Sequence, residues 1–383
     1  GLGMNCGHGR ITPSSSSTAP ATTTTSSASS SSIVCTTSDR PSNKDVVATI
    51  DILSYNVNNA AAHSPTRTRR ILHAIFSSGA DVVLLQETNP AWEEHIFGGA
   101  MKIMGTTTAV VVAASSSSTQ FRYRHFHHPG NADRAAGGMA ILSKYPLENV
   151  RVLDFTKVIS GSVFPVLVCE VHVPIKRCHL FDKSETRRSN VSPSNPNVTI
   201  SISNVHLRPP VELDGSAWLE TARKTEPIRI NEVKELIQRA ALIKGGGRME
   251  NAQLPFHVIA GDFNEGDNAG ALAYLASLGY IDALQQFVPR SRETHNWPFM
   301  RNLWTLRKRL DHILWHGGAL TTTLGEGGEV QRIVNLRCVE CGVMTGYENG
   351  ASDHQPVLSR FAIVNRDGRA DPIHKINEEV CRK

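Results

Sequence analysis

The chain has 383 residues, with 40 Lys and Arg against 35 Asp and Glu and a formal charge of +5. That length holds one large domain or two ordinary ones, and the composition is that of a globular protein with a sizeable core. No stretch approaches the roughly 20 apolar residues of a membrane span, and seven cysteines, odd in number and scattered, exclude a disulfide framework.

A reduced intracellular compartment is therefore the default, and a monomer the expected state. The positive surplus sits in clusters such as Arg67 to Arg70, Arg122 to Arg124 and Arg307 to Arg309. It is compatible with an anionic substrate without specifying one.

From Ile11 to Ser38 the chain is almost wholly Ser, Thr, Ala and Pro, with no charged residue, so it buries too little apolar surface to order itself. Residues 1–45 are read as a disordered tail. Their Ser/Thr richness and shortage of acids are also those of an organellar targeting segment, although Arg10 is nearly the only base. The β-branched run Ala48 to Val57 predicts the first strand, ending on Asn56 and Asn58, two apart. Apolar residues at Ile71, Leu72 and Ile75 give Thr66 to Ser78 a helical spacing, with Gly79 as its stop. A buried strand, Asp81 to Thr88, then runs out into Gln86 and Glu87.

Pro90 to Met104 is predicted as a helix with Trp92, Ile96 and Phe97 inward. Strands are expected over Thr106 to Ala113, Phe121 to His127, Gly137 to Ser143, Val150 to Phe155 and Val163 to Val173. The basic and aromatic alternation of Phe121 to His128 suits a strand with a polar outer face better than a nucleic-acid stripe. Lys183 to Asn197 is an inserted loop. Val198 to Leu207 is a strand with Asn204 and His206 two apart near its end, and Pro227 to Ile243 is a helix.

His257-Val-Ile-Ala-Gly-Asp-Phe-Asn264 follows: a short apolar run, a glycine, then a carboxylate and a carboxamide two apart. On an extended chain Asp262 and Asn264 would face one target while Phe263 turns into the core. Alone, this is ordinary turn chemistry. A helix from about Ala269 to Ser277, a loop Ser291 to Met300 and a strand opened by Asp311 come next. A Gly/Thr-rich loop spans Gly317 to Gly328, and Asp353 and His354 precede a last strand. Cys338 and Cys341 form a lone C-x-x-C that lacks the second ligand pair zinc would need. Many strands with few helices in mixed order favour an α+β sandwich over residues 46–365, with 366–383 a polar C-terminal tail.

Strand after strand thus ends in a polar group: Asn56, Glu87, His206, Asp262, Asn264, Asp311, Asp353 and His354. Carboxylates and amides without thiolates are the ligand set of a hard cation, Mg2+ or Mn2+. Two histidines beside them add acid/base capacity and donors for a phosphoryl oxygen.

The order and wording of six blocks resemble the endonuclease/exonuclease/phosphatase family, with its DNase I-like fold. The blocks are Ser54-Tyr-Asn-Val57, Leu85-Gln-Glu-Thr88, Gly138-Met-Ala-Ile-Leu-Ser143, Asn204-Val-His-Leu207, Gly261-Asp-Phe-Asn264 with Arg309-Leu-Asp-His-Ile313, and Ser352-Asp-His354. The resemblance implies a four-layer α/β sandwich, two mostly antiparallel sheets face to face with helices outside. It also implies Mg2+-assisted attack of water on a phosphodiester. A nuclease acting on nucleic acid is the first reading, a phosphatase or lipid phosphodiesterase the second, and a catalytically silent binding protein the third. Carried over by position, Glu87, Asn56 and Asp353 would stand on the metal side. Asp262 would deprotonate or orient the water, and Asn264 would hold it or the phosphate. His354, held by Asp311, would donate to the phosphoryl oxygen, and His206 would contact phosphate or help the leaving group. Trp297, Arg208 and Arg223 are expected substrate contacts.

Overall fold

The computed structural model describes residues 41, 45–98, 120–129, 136–175, 197–210, 219–243, 256–267, 269–288, 293–299, 304–324, 330–347 and 351–365. Apart from residues 41 and 45, the two expected tails, the strand expected at Thr106 to Ala113 and the inserted loop up to Pro196 lie outside these residues. Among the described residues, one sheet of seven strands has the order β13-β14-β15-β1-β2-β4-β3 and a second of six has the order β5-β6-β7-β8-β12-β9. The first comprises β1 Val46–Asn56, β2 Val82–Gln86, β3 Tyr123–His127, β4 Met139–Ser143, β13 Ala319–Leu324, β14 Val330–Val343 and β15 Val357–Asn365. The second comprises β5 Leu147–Leu153, β6 Val166–Pro174, β7 Asn197–His206, β8 His257–Asp262, β9 Ile281–Asp282 and β12 Asp311–His316. Within these two sheets only β1 with β2 and β7 with β8 run parallel; the other neighbours are antiparallel.

Alternation along the strands builds the layers. Inward residues such as Ile50, Ile52, Leu84 and Ile141 of the first sheet meet Leu167, Ile200, Val258 and Ile313 of the second in the apolar cluster between the sheets. The opposite faces are covered by helices. Helix α1, Pro65–Ser77, lays Ile71, Ala74 and Ile75 on Leu53, Val83 and Leu142. On the far side, helices α3, Leu219–Ile243, and α4, Gly270–Ser277, lay Val233, Leu236 and Leu275 on Val205, Ile259 and Leu314. The fold is the expected four-layer α/β sandwich.

Several expected elements differ. Between Pro90 and Gly98 only a single helical turn forms, α2 at Pro90–Glu93, and it widens into a π turn at Glu94–Gly98; Trp92 and Ile96 are nevertheless buried. Helix α3 begins at Leu219, eight residues before Pro227, which lies inside it. The turn before the proline is held by side chains, since Arg229 Nη1 reaches back to Thr225 Oγ1 at 2.9 Å. The expected loop Ser291 to Met300 contains strand β10, His295–Phe299, paired with β11, Trp304–Lys308. The Gly/Thr-rich loop contains β13, because its three β-branched threonines suit a strand. Strand β14, which holds Cys338 and Cys341, was not read from the sequence, since Asn335, Arg337 and Glu340 interrupt its apolar pattern.

Gly261 carries the closest approach in the second sheet. At φ +148° it occupies a conformation that L side chains rarely adopt, and an added Cβ would stand 1.9 Å from the Val205 carbonyl oxygen on the parallel neighbour strand. Gly261→Ala therefore combines backbone strain with overpacking, and we expect it to destabilise the fold by about 2–4 kcal/mol. Urea unfolding of the variant, compared with Ala260→Gly as a neighbouring control, measures this.

Candidate active site

The register of the second sheet sets three polar residues side by side. His206 of β7 pairs with Asp262 of β8, and Asp262 pairs with Asp311 of β12. Strands about 4.8 Å apart thus present an imidazole and two carboxylates in a row, all at most 4% exposed. Across the sandwich, β1 ends on the buried Asn56. Its Nδ2 lies 3.1 Å from Glu87 Oε1, 3.2 Å from Asp262 Oδ2 and 3.5 Å from His354 Nε2. The amide therefore ties one sheet to the other at the cleft.

Glu87 reaches this position through its backbone. Gln86 continues the strand and donates to Asn204 Oδ1 between the sheets at 2.7 Å. Glu87 then adopts φ +57°, which swings its carboxylate back so that Oε2 accepts from Asn59 N at 3.2 Å. Of the four non-glycine residues with positive φ among the described residues, Asn58, Glu87 and Asn264 belong to this site. Left-handed backbone costs an L residue roughly 1–2 kcal/mol, and such strain clusters at functional sites.

The strand alternation expected for Asp262 and Asn264 does not hold. Strand β8 ends at Asp262, and Asn264, at φ +52°, has left it. Its backbone N–H donates to Asp262 Oδ1 at 2.8 Å and its Nδ2 to Leu207 O at 3.0 Å. Phe263 does turn into the core against the helices, as expected.

His354 is oriented by the Asp311 carboxylate. Its Nδ1 lies 2.9 and 3.1 Å from the two oxygens of Asp311; a carboxylate accepts, so Nδ1 carries the proton and Nε2 faces Asp262 Oδ2 at 3.5 Å. His206 Nε2 lies 3.6 Å from the same oxygen. Its Nδ1 is 3.2 Å from Ala136 O and its ring stacks on Phe164 with centroids 4.2 Å apart. Asp353, half-exposed, accepts at Oδ1 from Asn58 Nδ2 at 2.8 Å and from Ser352 Oγ at 3.2 Å.

Burial and mutual charge shift these groups. Burial raises Asp262 to about 6, against the opposing pull of His354. Burial likewise raises Glu87. It also depresses His206 to about 3, helped by the nearby His354. Burial would depress His354 too, but the Asp311 and Asp262 carboxylates outweigh it and lift the imidazole to about 10. Burial would raise Asp353, yet its hydrogen bonds and neighbouring histidines hold it well below the usual range.

The donor set fits a divalent cation. Glu87, Asp262, Asp311 and Asp353 converge on one cleft, and among the described residues their ion-pair partners are histidines, with no Lys or Arg. Four carboxylates set against one charged imidazole, with no Lys or Arg partner among the described residues, suit a hard cation that keeps part of its water.

The remaining expected contacts are distributed differently. Arg208 is buried beside the site wall, where its N–H donates to Glu232 Oε2 at 3.0 Å. Arg223 stands exposed on α3. The backbone of Trp297 lies in β10, and its side chain is outside the described residues. Reading the sequence alone omitted Asn58, Ser352 and His295 from the site. Asn58 was signalled by its place two residues after Asn56, and Ser352 by its place before Asp353-His354; His295 had no such signal.

Two sheets that bring carboxylates, amides and histidines together at their strand ends define the DNase I-like class. The chain belongs to the Endonuclease/Exonuclease/phosphatase family, whose model matches residues 53–354. No curated protein matches the sequence. Among solved structures, D. rerio TDP2 complexed with a single-strand DNA product is 14% identical over 82% of this chain and 99% of that one, with a TM-score of 0.48. The human Nocturnin catalytic domain with bound sulfate is 14% identical over 84% and 96%, with a TM-score of 0.47. A functionally unknown conserved protein from Enterococcus faecalis V583 is 12% identical over 82% and 100%, with a TM-score of 0.49.

The His354 shift carries a stability signature. A histidine whose folded pKa is raised from 6.5 to about 10 contributes stability that is full below pH 6.5 and is lost as pH rises through about 10. In EDTA, we expect the melting temperature to fall across that window, and Asp311→Asn to flatten the fall. Calorimetric melts of both proteins at a series of pH values test it.

Proposed function

We propose that the protein is a divalent-metal-dependent phosphodiesterase, with Mg2+ as its ion and nucleic acid as its substrate. The observation that carries this reading is the line His206–Asp262–His354–Asp311 facing Glu87 across the Asn56 amide. It sets a proton acceptor and a proton donor on either side of one small volume. The family supports hydrolysis of a phosphoric ester, and the oxygen-rich, arginine-free donor set supports the metal.

In this reading Glu87, with Asn56 beside it and Asp353 on the same side, holds the cation. The bound ion supplies Lewis-acid polarisation of the phosphoryl oxygen and offsets the charge of the diester. The remaining steps belong to side chains. Asp262, with its carboxyl near neutral pH, orients the attacking water and takes its proton. Asn264 fastens the other Asp262 oxygen through its backbone N–H. His206 donates Nδ1–H to Ala136 O, which leaves Nε2 an acceptor facing Asp262. It therefore helps hold the water rather than protonate a leaving group. His354 presents Nε2–H to the non-bridging phosphoryl oxygen, where charge develops, and Asp311 fixes its tautomer and ring plane. The positive charge of His354 is retained well above neutral pH, as this donor role needs.

Loss of one preorganised donor costs about 10²–10³ in turnover. We expect His354→Ala and Asp262→Ala to lose at least that much while keeping wild-type circular dichroism, and Glu87→Gln to demand a higher Mg2+ concentration for half-maximal rate. Full Mg2+-dependent hydrolysis by purified Asp262→Ala or His354→Ala would remove the assignment. Substrate class is read from a panel of abasic duplex DNA, poly(A), 5′-tyrosyl DNA, sphingomyelin and inositol phosphates, each with Mg2+ and with EDTA. Cleavage confined to a lipid or inositol substrate would replace the nuclease reading.

A further inference from the structure

The cleft contains a second group of ligand atoms that shares Asp353 with the Glu87 side and adds two imidazoles to it. His295, Asp353 and His354 each offer one ligand atom, and all lie within 4.8 Å of one another. His295 Nε2 is 3.7 Å from Asp353 Oδ2, and the two imidazole rings have centroids 4.4 Å apart. We propose that these three residues bind a late first-row cation such as Zn2+, and that the ion arrests the enzyme by taking His354.

Four features make the group a built site. The backbone holds it: His295 and His354 form a β-bridge, Asn296 N donates to Asp353 O at 3.0 Å, and Gln355 N donates to Thr294 O at 2.7 Å. The Asp311 carboxylate on His354 Nδ1 is the partner that metal-binding histidines ordinarily have, orienting Nε2 toward the ion and raising its basicity. Asn58 Nδ2 and Ser352 Oγ anchor Asp353 through Oδ1, so that Oδ2 is the oxygen turned to His295. Asp353 has a side-chain exposure of 39%, which gives an ion a path in from solvent. Zinc bonds of about 2.0–2.2 Å draw the three atoms somewhat closer than they stand here.

The donor types decide the selectivity. Mg2+ takes oxygen ligands and dehydrates reluctantly, whereas imidazole suits Zn2+, and affinities along the first row favour the later ions. Two imidazoles with one carboxylate therefore discriminate against the ion expected at Glu87. Binding exchanges the Nε2–H bond of His354 for a bond to the ion and releases the proton to solvent; occupancy matters because that N–H is the group proposed to donate to the phosphoryl oxygen. The inhibition rests on the phosphodiesterase reading; the binding does not.

The experiment separates the two. Co2+ is titrated into the metal-free full chain with Mg2+ in excess, followed by visible absorption, and Zn2+ affinity is measured by competition with a chromophoric chelator. The wild type is expected to bind one ion with the spectrum of nitrogen-coordinated cobalt. His295→Phe, which keeps a ring against His354 and removes both nitrogens, is expected to weaken binding at least as much as loss of an outer-shell partner, roughly 10- to 100-fold. Asp353→Asn gives the same readout if the first variant does not fold. Where activity is found, the Zn2+ concentration for half-inhibition, with each variant normalised to its own rate, should rise by the same factor. Wild-type Co2+ affinity in a folded His295→Phe, or no cobalt band in the wild type, overturns the proposal whether or not any phosphodiester is cleaved.

Discussion

Nδ2 of Asn56 joins the two sheets of this protein at the cleft, as the buried Gln86–Asn204 bond joins them deeper between the strands. It reaches Glu87 on its own sheet and Asp262 and His354 beyond it, at 3.1, 3.2 and 3.5 Å. An aspartate in its place would add one more negative charge to a cleft that already gathers four carboxylates. A neutral amide can donate to two of them without adding charge. The cleft is therefore held together by hydrogen bonds while remaining short of cations, and that imbalance is what a divalent ion would relieve.

Keeping such a cleft open has structural consequences outside it. The chain accepts positive φ at Asn58, Glu87 and Asn264, and the loop that carries Asn264 is braced from behind. Behind the second sheet, the buried Arg229 donates to Glu265 Oε1 at 2.6 Å and to Arg208 O at 3.0 Å. Glu232, raised by burial to about 7, accepts from Arg208 N and from Ser162 Oγ at 2.6 Å. Glu265 Oε2 accepts from Ala271 N at 2.9 Å. This buried lattice clamps the segment after β7 and the segment after β8 to helix α3. The first of these directly follows His206 and the second bears Asn264. Breaking a buried pair of this kind typically costs 3–5 kcal/mol, so the strain in the cleft is set against a rigid support.

Much of the second sheet and its helix cover was visible as periodicity. The run His257 to Asp262 and the helices around Val233 and Leu275 carry their burial pattern in the residues themselves, because strand and helix periods differ. Where local pattern and tertiary context disagreed, the context prevailed. Pro227 suggested a helix start, yet Arg229 reaching back to Thr225 sustains the preceding turns. The alternation that would aim Asn264 beside Asp262 fails, since the strand stops and the backbone turns left-handed one residue beyond Phe263. The hairpin beginning at His295 is fastened by its bridge to His354, a partner 59 positions away that no window of sequence contains.

By itself the sequence determined the residue types at the strand ends, the family they belong to and the sandwich that the alternating strands imply. Those properties are local, or are carried by short blocks in a fixed order. Only the tertiary structure decided which of these side chains meet. Register placed His206, Asp262 and Asp311 in one row, and the packing of one sheet on the other brought Asn56 to them. The same folding set His295 against Asp353 and His354. The physical reason is that a ligand set is a statement about distances of a few ångströms between residues hundreds of positions apart, and those distances are fixed by how the sheets pair and pack.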